Sequence, residues 1–532
     1  MVMNSLGREV PSHINGAPVE PYRGAFAPVD ASRGAPLSLA DQPGGGRSKV
    51  GGTLREVVED AVPDGGWVSV PHYYRDDPTA LTLLIDALRG AGRREVHLLG
   101  MAFFGSHAEV LLPALADGTL AGLEGNVYGA VAKAVAAGSL REVVVGRSHG
   151  SRARALELGH RRLDLAVAPV PIADRWGNAN GVEGPYSAQV GPVALASGDV
   201  RFARRSALLT GQVHPGFLAY HPIDMAHVDH VIEVASPGDN RGIGTGTTDV
   251  SRMRRDPERL RIAELVMGVL RASGVIRDGF NFQIGSGSGL LVLDEMLREM
   301  GERGIRGGFT VGGTTEAHVD LLEQGLIDVL LDGQCFQPSA RSFRSLREHP
   351  RHTEVSTSLY YSPAAKQEGS GLMDVVVLGA SEVDLGFNLN TVTGYDGVLR
   401  TGIGGGPDAA AGAALTVISL PLARVSRGGR SAPSIRERVT TVVTPGEVVD
   451  VVVTEGGLAV NPRSSSPWVP RLLERAAAHG LELMSIEALM AASTAKALSM
   501  GPLMDSPRFT DQVVYAVEWR DGRLLDVVRR VE

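Results

Sequence analysis

The side chains able to do chemistry gather where β-branched runs give way to glycine-bearing turns. In VVVGRSHGSRARALELGHRR, Ser148, His149 and Arg152 fall on the turn and first helical turn after a strand. Hydroxyl, imidazole and guanidinium groups at a strand's carboxyl end suit a carboxylate or phosphate, because open α/β sheets bind ligands along that edge. Arg161 and Arg162, further along, read as a solvated helix face. In NFQIGSGSG, Gly285, Ser286, Gly287, Ser288 and Gly289 join an apolar strand to a helix, presenting backbone N–H groups and a positive helix end to an anion. Such a turn can equally be only a turn, and it is no serine-hydrolase elbow, since GxSxG would need serine at Gly287.

Two further segments carry acids and amides. ADRWGNANG, with Asn178 and Asn180, is either an Asx-rich turn or part of a site. LGASEVDLGFNLN ends a strand with Glu382, Asp384, Asn388 and Asn390. These are partners of backbone N–H groups, or they line a site with Arg400 and the amides of Gly404, Gly405 and Gly406 as anion donors. His214, His221, His227 and His230 form no HxxxH helical pair and no completed ligand set, so a metal site is not expected. Cys335 reads as a small packed residue.

The elements that must position these groups follow a rhythm. From residue 51 a short β-branched run, a glycine turn and a segment of helical apolar spacing recur, as in WVSVPHYY then TALTLLIDALRG. This predicts an α/β protein with mostly parallel sheets covered by helices. Residues 1–50, rich in Gly, Pro, Ala and Ser, read as an extended arm. Residues 51–255 form one expected domain and 256–532 a second, with antiparallel pairs turned at Pro445-Gly446 and Asp521-Gly522. No repeat of 20 to 50 residues is visible.

Composition narrows the function. Net charge is −8, so nothing draws in a polyanion. There are four lysines, Lys49, Lys133, Lys366 and Lys496, and none completes a GxxxxGK[ST] phosphate cradle. A single cysteine excludes intramolecular disulfides and cysteine-based metal cages. With no apolar run of signal or membrane length, the expected location is the cytoplasm. An NAD-type oxidoreductase is disfavoured, because no GxGxxG follows the first strand.

The motifs in order resemble the citrate lyase alpha-subunit family, citrate CoA-transferases of the CoA-transferase superfamily. The resemblance rests on GREVP and PYRGAF, PHYYR (71–75), SHGSRARALELG, ADRWGNANG, ASGVIRDGFNFQIGSGSG and LLDGQCF. It continues through SEVDLGFNLNTVTGYDGVLR and VTTVVTPGEVVDVVVTEGGLAVNPR to FTDQVVYAVEWRDGRLLDVV. It implies two CoA-transferase-type lobes with a cleft between them. It implies a subunit that exchanges the acetyl group on an acyl-carrier gamma subunit, or acetyl-CoA, for citrate, and a beta subunit that then cleaves the citryl thioester. The CoA-like prosthetic group belongs to the carrier, so no covalently bound cofactor is expected. It adds His72 and Arg75 to the expected substrate contacts, with Ser148, His149, Arg152, Asn178, Asn180, Arg400, Gly404 and Gly405. Glu382 and Asn388 are the expected catalytic residues.

Related acetate and hydroxybutyrate CoA-transferases carry a nucleophilic glutamate in a motif resembling HTEM. Aligned with FTVGGTTEAHVDLLEQGLI, that glutamate falls on Gly312, followed by Gly313. The resemblance therefore implies transfer without a glutamyl thioester, in which a citrate carboxylate attacks the acetyl thioester and a mixed anhydride forms. The five residues 285–289, with Gly312 and Gly313, are the expected thioester contacts. Glu316, four residues on, reads as a helix-start residue. HPGFLAYHP (214–222), Gly406 and GSGSG depart from the family's usual pattern, leaving room for a related hydroxy acid such as citramalate. An acyl-CoA hydrolase, a glutamate-dependent transferase and a non-catalytic scaffold are the competing readings.

Overall fold

The computed structural model describes residues 1–25, 27, 48–71, 73–244, 253–285, 289–426 and 428–532. His72, Ser286, Gly287 and Ser288 lie outside them.

The β-branched runs become the strands of two nine-stranded sheets. In chain order the first half supplies β1 (Trp67–Val70), β2 (Val96–Phe103), β3 (Leu120–Val127), β4 (Val144–Gly146), β5 (Leu163–Val170), β6 (Ala203–Thr210) and β7 (His230–Glu233). The second half supplies β8 (Phe282–Ile284), β9 (Gly307–Thr314), β10 (Ile327–Cys335), β11 (His352–Glu354), β12 (Val375–Gly379), β13 (Thr416–Ser419) and β14 (Val451–Thr454). Their orders are β7-β6-β5-β1-β2-β3-β4 and β14-β13-β12-β8-β9-β10-β11, every neighbouring pair parallel. The two halves are thus the same topology used twice. Each reverses winding direction at its first strand, the switch that opens a crevice at the strands' carboxyl ends.

Local details repeat as well. Ile172–Asp174 pairs antiparallel with Ala179–Asn180, and Glu382–Asp384 with Leu389–Asn390. After β2, His107 Nδ1 accepts the N–H of Phe104 at 3.2 Å; after β9, His318 Nδ1 accepts the N–H of Thr315 at 3.2 Å. The repeat is too long and too diverged to show as a sequence period; what survives in letters is Asp-x3-Asn-x-Asn, at 174–180 and 384–390.

Each half closes over its own core. Leu84, Ile85, Leu98 and Val131 are fully buried in the first, and Val266, Phe280, Phe282 and Leu293 in the second. Helix Pro257–Ser273 leads into the second core, with Asp256 capping its start and Gly274, at φ +74°, ending it in the left-handed region that glycine enters without Cβ strain.

Two expectations about hairpins change. The antiparallel pair expected around Pro445-Gly446 instead joins β14 to β15 (Gly457–Val460), with β16 (Leu483–Met484) parallel beside it, and turns at Glu455-Gly456, because residues 446–448 are a 3-10 turn instead of strand. The C-terminal hairpin, β17 (Phe509–Glu518) and β18 (Leu524–Val531), does turn at Asp521-Gly522. It extends the first sheet, however, not the second: Tyr515, Ala516 and Val517 pair in parallel with Val144, Val145 and Gly146. The start of the arm docks there too, where Asn4 Nδ2 donates to the Leu525 carbonyl and Tyr22 packs edge-on against Trp519.

Candidate active site

The groups that meet between the halves stand on strand ends. Near the end of β3, Asn126 is buried and fully used: Nδ2 donates to the carbonyls of Met101 (2.9 Å) and Arg147 (3.2 Å), and Oδ1 accepts the N–H groups of Ile403 (2.6 Å) and Gly404 (3.3 Å). One first-half side chain therefore holds the glycine loop of the second half. After β4, Ser148 caps helix His149–Glu157, accepting the N–H of Ser151 at 3.1 Å and donating to Asp408 Oδ1 at 2.8 Å. Asp408 Oδ2 accepts the N–H of Gly150 at 2.9 Å. Burial pushes the Asp408 carboxyl up to about 7, against the opposing pull of Arg520.

His149 sits at this seam, 8% exposed. Burial, reinforced by the positive charges of Arg152 and Arg75, lowers its pKa to about 4, so the ring is neutral at pH 7. Its neighbours are Tyr361, with ring centroids 6.2 Å apart, and Gly405. A Cβ on Gly405 would lie 2.6 Å from the Tyr361 ring and 3.1 Å from His149 Nδ1, so this close approach needs glycine. Tyr361 stacks on Tyr360, and its hydroxyl exchanges hydrogen bonds with the Gln283 amide (2.9 and 3.1 Å) at the end of β8.

Gln283 and Tyr360 then stand against Gly312. Gly312 has φ +138° at a break in the β9–β10 register, and a Cβ there would stand 3.0 Å from the Tyr360 hydroxyl and 3.4 Å from Gln283 Nε2. A Cβ on Gly313 would strike the Phe336 ring at 2.2 Å. On the first-half side, Arg75 adopts φ +52°, lies 5.8 Å from the Phe336 ring centre, and donates to Gln334 Oε1 (3.1 Å) and the Cys335 carbonyl (3.0 Å). The Cys335 thiol is pushed up to about 12 by burial, so it is no thiolate.

Of the residues read from sequence, Arg75, Ser148, His149, Gly312, Gly313, Gly404 and Gly405 come together across this seam. The other described ones are engaged elsewhere. Arg152 gives both guanidinium ends to Asp199 (2.6 and 2.5 Å) and is 3% exposed. Asn178 bonds Asp174 Oδ2 and accepts the N–H of Met225, while Asn180 accepts the N–H groups of Val182 and Glu183; this is the Asx-turn alternative. Glu382, 2% exposed, pairs with Arg436 at 2.7 Å and accepts from Asn390 and the Thr440 N–H. Asn388 bonds Asp384 and takes the N–H of Gly446 at 2.9 Å. The carboxylate and amide groups among these are satisfied by the fold, as burial demands. Arg400 pairs with Asp396 on an exposed turn. The N–H of Gly285 is bonded to the Val377 carbonyl of the neighbouring strand, and Gly289 opens helix Gly289–Arg303. Glu316 is the first residue of helix Glu316–Glu323.

Sequence reasoning missed Asn126, Gln283, Tyr360, Tyr361 and Asp408. Asn126 is the exception that left a trace, since Glu124-Gly125-Asn126 recurs as Asp332-Gly333-Gln334 at the end of the equivalent strand β10. A second seam contact is Glu354 on β11, which accepts the N–H groups of Val193 (2.6 Å) and Ala194 (2.8 Å) and the Tyr220 hydroxyl (2.5 Å); burial pushes it up to about 7. Of the four histidines, His214 Nδ1 lies 2.8 Å from the Gly216 carbonyl and His221 Nδ1 2.7 Å from that of Leu218. Among the described residues no three His, Cys, Asp or Glu side chains are grouped to hold a metal, and no helix is long and apolar enough to cross a membrane.

The comparisons agree with one another. The sequence model of the family "Citrate lyase, alpha subunit" matches residues 47–531. The citrate lyase alpha chain of Klebsiella pneumoniae is 35% identical over 473 residues, covering 88% of each chain. A solved structure of the alpha subunit of citrate lyase in complex with citrate, from Streptococcus mutans, superposes with TM-score 0.90 at 31% identity and covers 99% of this chain and 100% of that one. A 4-hydroxybutyrate CoA-transferase from Porphyromonas gingivalis, 18% identical, shares the fold at TM-score 0.50, over 81% of this chain and 96% of its own. The chain therefore belongs to the citrate lyase alpha-subunit family, enzymes of the CoA-transferase type.

Proposed function

We propose that this chain performs the exchange step of a citrate lyase by direct acyl transfer. A citrate carboxylate oxygen attacks the acetyl thioester carbonyl, thiolate departs, and an acetyl–citryl anhydride remains in the seam. The thiolate then attacks the citryl carbonyl, releasing acetate and leaving citryl thioester. The thiol is that of an acyl-carrier gamma subunit or of CoA, and the product passes to a beta subunit; both partners, and a cytoplasmic location, belong to this reading. The observation that carries it is Gly312, a glycine-only backbone with Tyr360 and Gln283 against it where a nucleophilic glutamate would have to project.

In this reading Arg75 uses the guanidinium N–H groups not given to Gln334 and Cys335 to hold a carboxylate. Neutral His149 contributes an uncharged N–H or lone pair beside the reacting carbonyl. The glycine loop at 404–405 supplies backbone amides for the developing oxyanion, and enclosure keeps water from the anhydride. Binding both acyl groups at once makes the attack intramolecular in effect.

The test is carboxylate-dependent exchange from acetyl-CoA with citrate, citramalate and malate in parallel, followed by hydroxylamine and borohydride trapping. We expect exchange with citrate and no modified carboxyl group. An adduct on Glu316 or Glu382 refutes direct transfer, exchange with citramalate alone reassigns the hydroxy acid, and no exchange by correctly folded protein makes the chain a scaffold.

A further inference from the structure

Behind the first sheet, away from the seam, a cavity of about 570 Å³ lies under the N-terminal arm and beside the turn of the C-terminal hairpin. Its wall is built from charged side chains that pair off almost completely. Arg147 pairs with Glu124 and Glu518, Arg161 with Glu124 at 2.8 Å, and Arg523 with Asp521 at 2.9 Å. Arg161 also lies 4.1 Å over the Trp67 ring.

Arg154 breaks the pattern. It lines the cavity, is 5% exposed, and among the described residues has no carboxylate partner. Its Nε is buried with no hydrogen bond, and Nη2 meets only His160 Nδ1, at 3.3 Å. The nearby acids are already taken: Glu518 accepts from Arg147 and from the Ser151 hydroxyl, and Asp521 serves Arg523. The fork lies directly against Gly522 (φ +88°), where a Cβ would fall 2.2 Å from Arg154 Nη2, so glycine lets the guanidinium reach this position. A buried guanidinium is normally given a partner, and its planar donors fit a carboxylate or phosphate.

We infer that this cavity is a second ligand site, in which Arg154 binds the oxyanion of a small organic acid or of phosphate while the stacked Trp67 and Arg161 floor the remaining space. The site has a physical route to the seam. Ser151 and Arg154 occupy one face of the helix His149–Glu157 and turn toward the hairpin, whereas His149 at its start faces Tyr361 and Gly405. An anion on Arg154 therefore bears on the helix that carries Ser148 and His149, and differential binding to two positions of that helix would couple the sites.

The experiment titrates the full chain with sodium phosphate and, separately, with sodium succinate at constant ionic strength. Binding is followed by calorimetry and by the Nε–H signal of Arg154 in arginine-labelled protein. We expect at least one anion to bind and to shift that signal, with a tenfold or greater loss of affinity in Arg154→Gln, partial recovery in Arg154→Lys, and no change in Arg75→Gln. Which anion binds tells phosphate from carboxylate as the source. The inference is overturned if neither anion binds the unmodified chain, if Arg154→Gln binds as tightly, or if Arg75→Gln alone loses binding. The signal shift in unmodified protein decides the matter even if Arg154→Gln fails to fold.

Discussion

Placing a glutamate at position 312 is the sharpest test of the chemistry proposed for the seam. In Gly312→Glu, φ +138° must be held by a residue with a Cβ, a region nearly reserved for glycine, at about 1–3 kcal/mol. The new side chain must also displace the Tyr360 hydroxyl at 3.0 Å and disturb the Gln283–Tyr361 hydrogen bonds, about 1 kcal/mol more. At about 2.1 cal/mol/K of unfolding entropy per residue, a chain of this length melting as one unit shifts by about 1 °C per kcal/mol. The expected drop is therefore about 2–4 °C, measurable by calorimetry with the fold intact. Gly312→Ala should lose nearly as much. If transfer is direct as proposed, acyl exchange from acetyl-CoA should fall at least a hundredfold, because the new side chain takes the place proposed for the anhydride, and mass spectrometry after hydroxylamine should find no glutamyl adduct at 312. Full exchange activity, with a trapped carboxyl at position 312, would refute the claim that this site works without a protein nucleophile.

The remaining predictions concern the seam and its supports. Arg152→Ala should destabilise the chain by about 3–5 kcal/mol by stranding Asp199 in the interior, lowering melting temperature with the citrate KM of the folded fraction unchanged; a raised KM with unchanged melting would return Arg152 to the substrate. Asn126→Ala should cost about 1–3 kcal/mol and lower kcat/KM for exchange at least tenfold, since Ile403 and Gly404 lose their acceptor; steady-state kinetics would check this. The Asp408 carboxyl, raised to about 7, binds its proton more tightly folded than unfolded. Its contribution is therefore full below the ordinary carboxylate range and is lost as pH climbs toward and through 7. Asp408→Asn should flatten the decline of melting temperature between pH 4 and 7. His149, neutral down to about pH 4, should show no protonation in ring nitrogen spectra between pH 5 and 8.

How far the letters predicted the structure differs by level. The parallel α/β architecture was legible because runs such as LDLAVAPV, buried along their whole length, alternate with capped helices. The glycines at 405, 312 and 313 stand at close approaches, which the letters mark only as turns. Asn178, Asn180, Glu382 and Asn388 misled, because an Asp-x3-Asn-x-Asn turn uses the same residue types as a catalytic site; only their hydrogen-bond partners separate the two. Asn126 and Asp408 act across about 260 to 280 residues of sequence, and no local pattern announces such a contact. The C-terminal hairpin was visible as a hairpin, but its sheet was not, since pairing an edge depends on which edge is left open.

That hairpin bears on how the protein is made. Strand β4 is the end of the first sheet until β17 joins it, and β17 is translated only after every strand from β8 to β14 of the second sheet. Roughly 360 residues separate the two, so at about 5–20 residues per second an emerging chain carries an unpaired parallel edge for on the order of 20–70 s. The first half cannot be completed on the ribosome before the second has been translated, whatever their independence as cores. A nonsense change anywhere between β14 and β17 would consequently be felt in the amino-terminal lobe.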